Sequence, residues 1–359
     1  MRLAGSSVRV PRSPVMLRRL LVLAALAATP ALANDTLLVG NKSGDTVWAL
    51  STTTGLRLAE FDSGDAPHEV VVSPDRSLAV VGNYGSDEPG NTLTVINWTL
   101  RDISRTVQLG ANTRPHGLRF LPGSHRVAAT TEGSDRVLVV DLGTGRIEQE
   151  IDVGAGKPHM LALSPAGETA WVTKVEAGTV AVVDLAQGRK VAEVATGAGA
   201  EGIAVTPDGR EVWVSNRADD SISVIDAARR EVVATLPSPG FPIRVAMMPD
   251  GSHALVTNAR SAELAVFDVA ARREVARIAL AEAGREYRET MLGRAALPIG
   301  ALVDPDGRRA YVAVSGADEI AVIDTADWRV VERWKTGAEP DALAFIPAQG
   351  VPDDLPEVD

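Results

Sequence analysis

Seven turn prolines, Pro74, Pro122, Pro165, Pro207, Pro249, Pro305 and Pro347, recur at spacings of 48, 43, 42, 42, 56 and 42 residues. A unit this short cannot bury a core by itself, so its copies must stack on one another. The cleanest copy, Ala200 to Asp226, reads AEGIAVTPDGREVWVSNRADDSISVID. Its apolar and β-branched residues alternate within short runs, which is the pattern of strands, and turn residues separate the runs. In Thr206-Pro207-Asp208-Gly209 the proline presets φ at the second turn position and glycine closes the turn, joining two antiparallel strands. Four strands per period are the signature of propeller blades, and seven anchors predict an all-β, seven-bladed β-propeller.

The ends of the chain predict how the ring closes. Residues 348–359 are too few and too acidic to supply three more strands after Pro347, so the last blade has only its innermost strand there, DALAFI. Three strands at the other end supply the rest: Thr36 to Asn41, Thr46 to Ser51 and Leu56 to Phe61. Pairing them removes two sheet edges at once. Residues 34–347 then form one domain, followed by an acidic tail over 348–359.

Residues 1–33 read as a cleavable signal peptide. Arg18 and Arg19 precede an apolar run, Leu20 to Ala28, that is too short to span a bilayer, and Ala31-Leu32-Ala33 offers a cleavage site. The start codon is Met1 or Met16. Either implies a periplasmic or secreted product. Cysteine is absent, so no disulfide braces the fold and haem c attachment is excluded. Without the leader, 31 basic residues face 47 acidic ones, a net charge of about −16. Such a surface repels nucleic acid and anionic membrane, and a monomer is expected.

Departures from the 42-residue period mark functional loops. The first interval gains residues at Tyr84 to Asn91, between second and third strands. The fifth gains more at Ala281 to Leu297, before an innermost strand. Both connections emerge on one rim, here the upper, where a ligand or partner protein would meet the molecule.

The segments VGN, VSN, VTN and AYVAV at the second strand, AVID and SVID at the third, and the PDG turns resemble the YVTN-repeat, YncE-like propellers, over Asn34 to Pro347. That resemblance implies the fold. It leaves function open, because such propellers include periplasmic binders, companions of quinone-dependent alcohol oxidation and, more distantly, lactonases.

A second proline stands seven residues before the turn proline in six blades: Pro67, Pro115, Pro158, Pro242, Pro298 and Pro340, with Ala200 in the seventh. It opens the innermost strand, whose free edge tolerates a residue without N–H. The next position reads His68, His116, His159, Glu201, Ile243, Ile299 and Asp341 around the ring. Three of the five histidines thus occupy one repeat column. With Glu201 and Asp341 beside them, they form a ligand set suited to a divalent transition metal at the upper mouth of the channel. The same groups also suit a small organic ligand without metal, or a water-filled polar funnel.

Arg114, Lys157 and Arg244 flank this arc, and an anionic substrate held by cations beside a histidine base is the hydrolase alternative. A-E-x-I followed by P-D-G and S-N-R is similar to one blade of the propeller lactonases, and that resemblance implies His116, Glu201 and Arg244 as catalytic residues. Arg244 falls one position later than the lactonase pattern and is expected on the other face of its strand. A third reading makes the Ala281 to Leu297 loop the docking site of a partner protein.

Other columns read as structural. Asp141, Asp184, Asp226, Asp268 and Asp324 are expected to cap turns, and Asn41, Asn83, Asn216 and Asn258 to satisfy loop backbone. Trp98, Trp328 and Trp334 are expected at the blade periphery, and His125 and His253 as solvated lower-rim residues.

Overall fold

At six turn prolines, Pro74, Pro122, Pro165, Pro207, Pro249 and Pro305, the chain reverses within four residues. The Thr206 carbonyl accepts the Gly209 N–H at 2.8 Å, the Thr206 hydroxyl donates to Asp208 at 2.7 Å, and Gly209 takes φ 75°. This is the expected turn, with a left-handed residue that glycine accepts without strain. It joins strand Ala200–Val205 to Glu211–Asn216, and Ser221–Asp226 and Glu231–Pro237 complete a consecutive antiparallel sheet.

The computed structural model describes residues 35–348 together with Met1 and Gly5. The expected signal peptide, apart from those two residues, and the tail beyond Ala348 lie outside the described residues. Seven four-stranded sheets form the blades. Blades 1 to 6 open with Pro67–Val72, Pro115–Phe120, Pro158–Leu163, Ala200–Val205, Pro242–Met247 and Pro298–Val303. Blade 7 closes as expected: Pro340–Ile346 pairs with Thr36–Asn41, followed by Thr46–Ser51 and Arg57–Asp62. Ala348 N–H donates to Asp35 at 2.6 Å, tying the two ends further.

A blade is apolar on both faces, and its faces are covered by its neighbours. Among the described residues the main core accordingly divides into seven clusters, one at each blade junction. Trp213 and Phe267, ring centroids 6.2 Å apart, fill the junction of blades 4 and 5. Trp334 departs from its expected peripheral place. It is buried between blades 6 and 7 against Tyr311, at 5.6 Å, on the side of the fourth strand that faces the junction.

Polar links add directionality to these junctions. Thr130 Oγ1 accepts the Gly117 N–H (2.8 Å) and donates to the His159 carbonyl of the next blade (2.5 Å). Thr173, Ser215 and Thr257 repeat the link to the carbonyls of Glu201, Ile243 and Ile299, at 2.7, 2.7 and 2.9 Å. Each hydroxyl therefore fixes the start of the following innermost strand, where the candidate site lies. The aspartate column caps its turns, as Asp226 does by accepting the Arg229 N–H at 2.8 Å. The asparagines do more than serve loops: Asn83 Oδ1 accepts the loop N–H of Gly64, while its Nδ2 donates to Thr92 and Thr94 of the third strand, Asn216 Nδ2 likewise donates to Ser221 and Ser223, and Asn258 Oδ1 accepts from Ser238.

Candidate metal centre

The upper mouth is built from one unusual backbone position per blade. The residue before each opening position is left-handed: Ala66, Arg114, Lys157, Phe241, Leu297 and Glu339 have φ between 51° and 68°, and Gly199 has 75°. For residues with a Cβ this costs about 1–2 kcal/mol each, and it persists only where neighbours overdetermine it. Here they do. The carbonyl of that residue accepts the N–H of the residue just past the second strand, as in Ala66 to Tyr84 (3.2 Å) and Arg114 to Glu132 (3.1 Å). Its own N–H is taken by an aspartate of the preceding blade in several junctions, as Asp220 takes Phe241 at 2.8 Å and Asp318 takes Glu339 at 2.7 Å.

The strand then bulges. In blade 3, Pro158 opposes Lys174 and Leu161 opposes Val172, so His159 and Met160 together face the single residue Thr173. The same shift recurs at the start of the other innermost strands. A bulge breaks the strict alternation of sides, so two successive side chains serve the channel. The first lines the bowl at the mouth, and the second lies beneath it. The second position alternates in size: Glu69, Gly117, Met160, Gly202, Arg244, Gly300 and Ala342. The small members are required, because a Cβ on Gly202 would sit 2.0 Å from the Ile243 carbonyl oxygen.

This bulge corrects the expectation for Arg244. Its side chain enters the channel, where Nη2 meets Glu69 Oε1 at 2.5 Å and Nη1 meets Met160 Sδ at 3.4 Å. Long second-position residues from blades 1, 3 and 5 thus converge on the axis.

Above them lies a bowl of about 1310 Å³. His68, His116 and His159 stand in sequence along its wall, with ring centroids 4.9 Å and 3.7 Å apart, and Tyr84 stacks on His68 at 4.3 Å. His159 is gripped from both sides, by Glu132 at Nδ1 and by Glu201 at Nε2 (3.2 Å). Glu132 also accepts from Tyr84 Oη at 2.5 Å and pairs with Lys157 at 3.4 Å. Glu201 pairs with Arg217 at 2.5 Å. The His116 Nδ1, in contrast, is buried without a partner among the described residues.

These contacts separate three similar imidazoles. Burial opposes charge on His159, but Glu201 and Glu132 outweigh it and raise its pKa to about 9. Burial, reinforced by Lys42, lowers His68 to about 3. Burial and the charge of His159 hold His116 well below its ordinary value. Glu132 falls to about 2: burial would raise it, and His159 together with Tyr84 and Lys157 prevails. Burial raises Asp341, against the attraction of Lys42 and Arg244. At neutral pH, one imidazolium therefore stands between two carboxylates beside a neutral, unpartnered imidazole.

Among the described residues, the group whose ligand atoms lie within 4.8 Å of one another is His116, Glu132 and His159. Two of the five residues expected from the sequence belong to it. His68, Glu201 and Asp341 line the same bowl without joining that group, and Ile243 and Ile299 line it with them. Glu132 was missed because it does not lie in the mouth column. It occupies the position just past the second strand, and that position reads Lys42, Tyr84, Glu132, Val175, Arg217, Ala259 and Ser315. Tyr84, Glu132 and Arg217 all act at the site, so this second column was the available signal. The alternative set of His116, Glu201 and Arg244 shares the bowl, but Arg244 is held by Glu69, and Glu201 by His159 and Arg217.

A protein-family model described as a YNCE-like beta-propeller matches residues 123–287. Over that stretch, a little under half of its length, the chain is similar to the YNCE-like propellers. No curated protein matches it. Among solved structures, a chain of Kuenenia stuttgartiensis hydrazine synthase superposes with a TM-score of 0.67 at 20% identity, over 77% of this chain and 89% of that one. A functionally unknown protein from Desulfotomaculum acetoxidans gives 0.72 at 16% identity, over 88% of this chain and 99% of that one. At such identities these structures share the fold alone.

Proposed function

We propose that this protein is an exported binding module whose upper mouth holds a divalent transition metal through His116, Glu132 and His159. The observation that carries the reading is the buried, unpartnered Nδ1 of His116, close to two further donors of the type that zinc, copper, iron or nickel prefer. A buried imidazole nitrogen without a partner is costly, and a cation supplies one. Three protein donors at an open bowl leave positions for a small ligand. Tyr84, bonded to Glu132, and Glu201, bonded to His159, would orient the ligands from outside. Export rests on the leader sequence of residues 1–33.

The test is zinc titration of tag-free, chelator-treated protein by calorimetry. One equivalent is expected to bind, and His116→Ala and Glu132→Gln to weaken it by about 10-fold to 100-fold. No stoichiometric binding by any of zinc, copper or nickel, or binding indifferent to His116→Ala, would remove the metal from the proposal.

A partner protein on the same rim is a second reading with its own support. The long loop forms a small hairpin, Glu289–Thr290 with Gly293–Arg294, whose tip carries Met291 at 89% exposure beside the bowl. Its base is fastened by Arg285 to Glu319 (2.6 Å) and Arg288 to Asp318 (2.7 Å). A rigidly held apolar tip suits protein contact. Shortening the hairpin should abolish capture of that partner while zinc binding persists, and loss of both would argue against a separate docking role.

A further inference from the structure

Below the Glu69–Arg244 contact the channel widens again into a second chamber of about 690 Å³, which reaches Pro74 and Pro122 of the lower-rim turns. Its wall comes from the last three positions of the first six innermost strands and the corresponding residues of the seventh: VVV, LRF, LAL, IAV, VAM, ALV and LAF. Among these described residues Arg119 is the one that is not apolar. Its neighbours in the repeat column are Val71, Ala162, Ala204, Ala246, Leu302 and Ala344. No fold argument calls for a guanidinium there, since the other blades pack with small apolar residues.

Nor is Arg119 satisfied. One Nη1 donates to the Leu118 carbonyl at 2.7 Å and stands 3.8 Å from Glu69 Oε2, but Glu69 is already held by Arg244 at 2.5 Å. Two arginines share one carboxylate, and Arg119 keeps 36% of its side chain exposed, within a chamber whose walls below the Glu69–Arg244 pair are otherwise apolar. A surplus cation at one end of an apolar chamber open at the other is the complement of an organic anion with an apolar body.

We propose that the lower chamber is a second binding site, separate from the upper bowl, for a monocarboxylate with an aliphatic or aromatic body. The carboxylate meets Arg119, and the body lies along Phe120, Leu163 and Phe345 toward the lower rim. Glu69 sets the specificity: with its charge in place the chamber accommodates one added negative charge, and dicarboxylates are disfavoured.

The probe is octanoate, titrated calorimetrically into the whole mature protein, with octanol and octylammonium as neutral and cationic counterparts of equal apolar body. Octanoate is expected to bind at one site, at least about 10-fold tighter than either counterpart. Arg119→Gln should erase that preference, Arg119→Lys should retain part of it, and His116→Ala should leave it unchanged. The comparison among the three probes needs no variant, so it stands even if Arg119→Gln folds poorly. Failure of octanoate to bind below about 1 mM, equal binding of octanol, or a loss caused by His116→Ala and not by Arg119→Gln would each overturn the assignment. Because no metal takes part in this chamber, the result is independent of the zinc titration.

Discussion

Glu69 and Arg244, 175 residues apart in the chain, meet on the channel axis with Oε1 and Nη2 2.5 Å apart. Their contact divides the channel into an upper bowl lined by histidines and a lower chamber lined by aliphatic side chains. Both side chains are nearly buried.

Removing Glu69 strips both Arg244 and Arg119 of their shared carboxylate, and removing Arg244 leaves Glu69 with only the 3.8 Å contact to Arg119. Arg244→Met or Glu69→Leu alone should therefore lower unfolding free energy by about 3–5 kcal/mol. The double replacement Glu69→Leu with Arg244→Met should recover most of that loss. Urea unfolding of the four proteins measures it, and additive losses would show that the pair is not coupled.

Stability should depend on pH through His159 and Glu132. The pKa of His159 is raised in the folded state, so its contribution is complete below the unfolded value near 6.5 and disappears as pH rises through about 9. Glu132 is depressed, so its contribution is complete above the unfolded 4.5 and disappears as pH falls toward about 2. The network is therefore most stabilising between those limits. The denaturant midpoint should decline from pH 6.5 to 9, and His159→Gln should flatten that decline.

Metal binding should release a proton. His159 must become neutral to donate to a metal, so zinc affinity should rise with pH up to about 9. Calorimetry in buffers of different ionisation enthalpy counts the protons released near pH 7, and a value near one is expected. Zero would mean that the metal does not use His159.

Ala200→Pro should stabilise the protein by about 0.4–1 kcal/mol. Six blades open with proline at this position, each preceded by a left-handed residue, and Gly199 already provides that conformation in blade 4. Thermal unfolding checks the direction. A decrease would show that the Ala200 N–H has a role that the other blades lack.

Gly202→Ala is expected to cost at least about 2 kcal/mol, since overpacking against backbone cannot be relieved by a rotamer change. The added methyl would strike the Ile243 carbonyl at 2.0 Å. A stability within about 0.5 kcal/mol of wild type would mean that blades 4 and 5 can separate at the mouth.

The propeller itself was legible because turn chemistry repeats at identical places: Pro207 and its six equivalents mark every blade, and the closing strand follows from what remains after Pro347. The mouth column was legible for the same reason, lying six residues before each turn proline. Glu132 was not, since no proline or glycine marks the residue after the second strand. Arg244 was misread because strict alternation predicts opposite sides for successive residues, and a bulge has no residue signature that proline at the strand start does not already mask. Ser215 and Thr257 stand inside the VSN and VTN segments, but the task of their hydroxyls, and of those of Thr130 and Thr173, in fixing the next blade appears only when blades are adjacent.

Because Pro340–Ile346 completes a sheet begun by Thr36–Asn41, the ring has a seam held by a single segment from the end of the chain. A molecule that lost this segment would carry an unpaired edge at Thr36–Asn41, ready to accept the same strand from another copy. Protein truncated near residue 339 should thus form strand-exchanged oligomers when mixed with intact chain, and a synthetic peptide of residues 340–346 should return both to single rings.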